Sequence, residues 1–249
     1  MTQALVPTSE RPRRGILREL LVATGAISVA AALPSAMHSS HSEDGWVLIV
    51  AMSGLALASY PMSRAHNFLA QLFARAIWWQ ALAFGLVLTL GYATGDVRGP
   101  ISAATPMYVF GGLLAIVGAG RVGLNFESDH FVPVAFRGSL TASLVMAMAD
   151  TIALLFYAGI VIIDGSWIDA FAFAGSATVM LVAIAGLYRI KVWGLGLNIG
   201  ANILIAGLAI SGVFQLPEVI ALGLVATAIG QLLLPIPLLK RMASKSADA

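Results

Sequence analysis

Asp150 constrains the chemistry of this chain more than any other residue. It falls near the middle of an apolar run over Ser139–Ile163. A charge at the centre of a bilayer costs roughly 2.5–3.5 kcal/mol even on a lenient insertion scale, so a carboxyl there must be protonated, paired or solvated. Helical spacing puts Asp150 on one face with Ser143, Ala147 and Tyr157, which predicts that this face looks into a bundle rather than at lipid. The other costly side chains are Gln80, Arg121, Asn198, Asn202 and Gln231, each in the half of its apolar run nearer the basic loops. Together they form the candidate site: a polar pocket opening toward the cytoplasm, in which Asp150 titrates and the amides bind a small solute. A second reading uses the same residues structurally. Intramembrane Asn and Gln join neighbouring helices for about 0.6–2 kcal/mol each, and Arg121 can snorkel to the headgroups.

Catalytic chemistry has little to work with. There are no cysteines, which removes thiolate nucleophiles, thiolate metal sites and disulfides. His38, His41, His66 and His130 all fall in loops or at helix ends, so no intramembrane pair could ligate haem. Ser53-Gly54 and Ser211-Gly212 lack an intramembrane histidine as base, and an aspartyl mechanism needs a second carboxylate beside Asp150. His38 and His41 next to Glu43 and Asp44, and Glu127, Asp129 and His130 in the Asn125–Gly138 loop, read as solvated loops because their spacing matches no metal cage. The expectation is no catalytic residue, no metal and no cofactor. Nucleic acid is also excluded as a partner: the net charge is +2, and the basic residues lie beside apolar runs rather than on one face.

The elements that must position these residues follow from composition. Of 249 residues, 59% are hydrophobic and 10% charged, and the mean hydropathy is +0.90, whereas soluble domains carry roughly 25% charged residues. The apolar residues fall into runs of about 17–24, the length that crosses a hydrocarbon core of about 30 Å. Helices are predicted at Ile16–Leu33, Trp46–Met62, Phe73–Thr94, Pro106–Leu124, Ser139–Ile163, Phe171–Tyr188, Trp193–Phe214 and Val219–Leu239. The fold class is therefore an all-α integral membrane protein, a bundle of about eight transmembrane helices. Of the 14 Lys and Arg, Arg98 alone lies in a connection after an odd-numbered helix, and that side also holds Glu43, Asp44, Asp96, Asp164, Asp169 and Glu218. The positive-inside rule then places both termini in the cytoplasm. Residues 1–15 form a cytoplasmic tail, 16–239 the transmembrane domain and 240–249 a second cytoplasmic tail. Arg13-Arg14 ahead of the first run resembles a secretory signal, but Pro34 and Ala36 suit cleavage poorly, so an uncleaved first helix is expected. Arg and Ala outweigh Lys, a composition consistent with a bacterial inner membrane.

Smaller patterns complete the reading. Ala65–Arg75, with Phe68, Leu69, Leu72 and Phe73, is expected to lie partly along the membrane interface. Trp46, Trp78, Trp79, Trp167 and Trp193 read as interfacial anchors. Gly196 and Gly200 form Gly-x-x-x-Gly on the face opposite Asn198 and Asn202, where a neighbouring backbone is expected to approach, so that Gly200→Leu would destabilise more than Leu197→Ala. Ser143-Ala147-Thr151 and Ala226-Gly230 are similar small-residue stripes, and Pro235 and Pro237 are expected to disturb the end of the last helix. Phe73-Ala74-Arg75 and Phe136-Arg137 align weakly as starts of repeated hairpins. The functional expectation is a small-solute or proton-linked transporter in the cell membrane. The alternative is a non-catalytic subunit or scaffold whose polar residues join helices within the chain, to a membrane-protein partner or to another copy.

Overall fold

The computed structural model describes residues 11–36, 45–65, 67–94, 104–119, 134–163, 165–189, 191–211, 218–233 and 236. They form eight helices: α1 (Arg11–Ala36), α2 (Gly45–Arg64), α3 (Phe68–Thr94), α4 (Ala104–Ala119), α5 (Val134–Ile163), α6 (Trp167–Tyr188), α7 (Val192–Ile210) and α8 (Glu218–Leu233). No strand occurs among the described residues. Four stretches, Phe68–Thr94, Gly138–Ile162, Trp167–Tyr188 and Val192–Ile210, are long and apolar enough to cross a membrane.

The helices alternate in direction and fall into two four-membered rings. Within α1–α4 each helix packs on the next and α1 closes on α4; α5–α8 repeat the pattern, and α3 joins the rings through α5 and α8. This repetition starts at α1 and α5, not at the α3 and α5 hairpins that the Phe-Arg alignment pairs. Local chemistry sets the corners. Between α5 and α6, Gly165 takes a φ of 82°, and the N–H groups of Gly165 and Ser166 return to the carbonyls of Ile162 and Val161. That Schellman-type ending requires a left-handed residue, which glycine adopts without steric cost.

Small residues hold the first ring. A Cβ built on Gly25 would lie 2.6 Å from the Gly111 carbonyl oxygen and 2.7 Å from the Ala115 methyl. One at Gly112 would lie 2.7 Å from the Trp78 carbonyl oxygen. α4 thus presents Gly111, Ala115 and Gly118 to α1 and Gly112 to α3, so both neighbours approach to backbone contact. Arg18 Nε adds a 2.8 Å hydrogen bond to the Gly118 carbonyl near the C-terminus of α4, where the helix dipole favours a cation. In the second ring the close approach joins α6 to α7, Gly186 against Gly194.

Several expectations are corrected here. Gly196 and Gly200 meet nothing within 4 Å; both are exposed, because the buried face of α7 is the one carrying Asn198 and Asn202. Trp78 is no interfacial anchor: it is fully buried, and its indole N–H donates to Ser59 Oγ at 2.8 Å, joining α3 to α2. Trp79 is half-buried, and Trp167 and Trp193 are exposed. Ala65–Arg75 does not run along a surface. Asn67 Oδ1 accepts from the Leu69 N–H at 2.8 Å and caps α3, while Leu72 is buried and the Phe68 ring lies 4.4 Å from that of Tyr188. Pro237, His38, His41, His66, His130 and the Asn125–Gly138 loop up to Pro133 lie outside the described residues, as does Pro235.

Ser59 allows a direct test of the α2–α3 contact. Ser59→Ala leaves a buried indole N–H without its acceptor, an expected loss of about 1–3 kcal/mol. A thermal midpoint in detergent indistinguishable from the parent's would show that the bond contributes nothing.

Candidate functional site

The α7 sequence buries Leu195, Asn198, Ala201, Asn202, Ile205 and Ala209. Their three- and four-residue spacing makes one stripe on the helix, so both amides are drawn into the bundle by the apolar residues around them. Asn202 Nδ2 donates to the Asn198 carbonyl at 2.8 Å and lies 3.4 Å from Asn198 Oδ1. Asn198 Nδ2 in turn donates to Gln231 Oε1 on α8 at 3.2 Å. On the other side of α8, Gln231 and Thr227 face the carboxyl of Asp150. The polar chain therefore runs from α7 through α8 to α5.

This chain is incompletely satisfied. Asp150 is 3% exposed, Asn198 and Gln231 0% and Asn202 2%; Asp150 Oδ2 and Gln231 Nε2 fall short of good hydrogen-bond geometry although the two side chains face each other, and Ser143 Oγ has no partner among the described residues. Thr227 Oγ1 lies within reach of two acceptors, the Leu224 carbonyl of its own helix at 2.9 Å and the Asp150 carboxyl. Leaving a buried donor or acceptor unpaired costs about 1–3 kcal/mol per group. The Asp150 carboxyl on α5 and the Gln231 amide on α8 face each other at one buried seam, an acceptor and a donor that a ligand could also engage. Among the described residues no ion pair reaches Asp150; the Arg64–Glu19 bridge, at 3.3 Å, belongs to α1 and α2. Ser143 and Ala147 share the buried face of α5, and Tyr157, half-buried on the same face, stacks on Phe173 of α6 with ring centroids 6.0 Å apart.

The structure does not assemble all six candidate residues. Asp150, Asn198, Asn202 and Gln231 come together. Gln80 is half-buried on α3 with no hydrogen bond into the group, and Arg121 lies outside the described residues. Thr227 was not among the residues the sequence singled out. Its position four residues before Gln231 is the signal that could have found it, since that spacing shares a helix face. A second polar cluster lies at the end of the bundle formed by the N-terminus of α1 and the C-terminus of α2. There Tyr60 Oη donates to Glu19 Oε2 at 3.0 Å, and Arg64 sits over the Tyr60 ring. It ties α1 to α2 and does not touch Asp150's helix.

Comparison with protein-family models, with curated proteins and with solved structures finds no match for this chain. Its class rests on its own helices: it is an all-helical protein whose four long apolar helices are compatible with a membrane protein. What it does must be argued from the α5–α7–α8 site.

Proposed function

We propose that this chain is a multi-pass carrier in the cell membrane, of bacterial inner-membrane type, that moves a small solute with Asp150 as its protonatable coupling group. The observation that carries the reading is the Asp150 carboxyl itself, buried at the α5–α8 seam with the neutral Thr227 and Gln231 side chains facing it and no cation beside it among the described residues. A purely structural residue at that seam would gain by having a cation as partner or by being apolar. In this reading all eight helices cross the bilayer with both termini in the cytoplasm. The described parts of α4 and α8 contain 16 residues each and rise about 24 Å, most of the hydrocarbon thickness of about 30 Å. The alternating helix directions bring Arg18, Arg64, Arg75, Arg189 and Lys191 to one end of the bundle, which supports that end as cytoplasmic.

Two measurements test this. Reporters fused at Ala249 and within the Asn125–Gly138 loop should report cytoplasm and one at Ser166 the opposite side; a periplasmic signal from Ala249 would end the eight-span topology. For activity, purified protein in liposomes on a solid-supported membrane should give a solute-evoked current from at least one member of a panel of amino acids, sugars and organic ions. That current should vanish in Asp150→Asn. Responses across the panel equal to those of protein-free liposomes would defeat the carrier reading.

A second reading has its own observation. The amides of Asn198, Asn202 and Gln231 bond to one another and so join α7 to α8, which suits a non-catalytic subunit held together by polar contacts. The exposed Gly196, Gly200 and Gly207 face of α7 would then meet a partner or a second copy.

A further inference from the structure

We propose that Met146 is the gate that closes Asp150 off from the end of the bundle carrying the basic residues. The inference rests on the carrier reading and adds to it the route by which the site is reached.

The α5–α8 seam is the sparse contact of the second ring, since α8 packs chiefly on α7. Met146 lies one turn before Asp150 on α5, toward the helix end that starts at Val134. Its side chain crosses the seam to α8: a Cβ built on Gly230 would stand 2.8 Å from the Met146 methyl, with Sδ at 3.7 Å. Gly230 directly precedes Gln231, and Thr227, which faces Asp150, lies almost one turn behind it. The thioether thus fills the seam at the level of Gly230, one turn from Asp150 on the side of the basic end. A Cβ at position 230 would require the thioether to shift. Methionine is unbranched, with three rotatable bonds and no polar group to anchor it, so a rotamer change withdraws the plug without breaking a hydrogen bond. On the far side of Asp150, Tyr157 packed on Phe173 covers the same face.

The chain has no cysteine, so a single introduced thiol reports water access cleanly. Thr227→Cys places one beside Asp150, behind the Met146 contact. In vesicles exposing the basic end, a membrane-impermeant trimethylammonium thiosulfonate should label this cysteine slowly. Adding Met146→Ala should raise the rate about tenfold, because access follows the population of the open seam, while Met146→Leu, which keeps the bulk, should not. Gly230→Val, which crowds the seam from the other side, should slow labelling further. Solute-evoked currents of the cysteine-free parent and of its Asp150→Asn variant are recorded alongside. Equal rates with and without Met146→Ala, with an Asp150-dependent current present, overturn the gate and leave the carrier standing. Equal rates with no current overturn both.

Discussion

Gly112→Leu and Gly25→Leu are expected to be the most damaging single substitutions in this protein, and Gly200→Leu close to neutral. A Cβ at Gly112 meets the Trp78 carbonyl oxygen at 2.7 Å and the Leu82 amide nitrogen at 2.8 Å; one at Gly25 meets the Gly111 carbonyl oxygen at 2.6 Å. The obstacles are backbone atoms of neighbouring helices. No rotamer change can move them, so α4 must separate from α1 or α3. Overpacking costs about 1–3 kcal/mol where side chains can yield, and the loss here should lie at or above the top of that range. Gly200 has open space around it, and a leucine there adds apolar surface on an outward face. Thermal melts followed by size-exclusion chromatography in detergent should show the first two variants losing the monodisperse species well below the parent and Gly200→Leu tracking it. The reverse order would show that the α1–α4–α3 contacts do not hold the first ring.

Asp150→Asn is expected to abolish solute-evoked current while leaving the fold intact. The amide keeps the shape of the carboxyl at the α5–α8 seam but removes its titration. No cation pairs with Asp150 among the described residues, and an unpaired charge at that depth costs roughly 2.5–3.5 kcal/mol, so the group should carry a proton. Infrared spectra at neutral pH should contain a protonated-carboxyl band that is missing from Asp150→Asn. Asp150→Leu separates packing from chemistry: it should also lose current, and its melting midpoint reports what the polar contacts contribute. If the residue serves only to hold helices together, Asp150→Asn would lower the midpoint and any current would survive in the folded fraction. That result would favour the scaffold reading.

The helices themselves were legible because each is a run of apolar residues long enough to bury its own backbone polar groups, a local property. All eight appear, with ends that differ by several residues: α3 begins at Phe68 rather than Phe73, since Asn67 supplies a cap, and α7 stops at Ile210 rather than Phe214. The inward turn of α5 was readable for a similar reason. A three- and four-residue spacing of polar and small side chains defines a face before any partner is known.

Spacing does not say which of two faces a partner will cover. Gly196-x-x-x-Gly200 has the pattern of a close helix contact, yet α7 turns its asparagines inward and leaves that stripe outside. Gly111, Ala115 and Gly118, equally periodic on α4, are the ones that meet a neighbour. Trp78 has the composition of an anchor and the location of a core residue because Ser59, nineteen positions earlier, offers its indole an acceptor. The chain by itself determined which segments become helices and which side chains are costly to bury, since both follow from free energies of single residues in an apolar medium. Only the tertiary structure decided that Asp150 meets Thr227 and Gln231 while Gln80 stays apart, because that choice depends on how whole helix surfaces fit, and contacts between distant segments are not written in the spacing of either one.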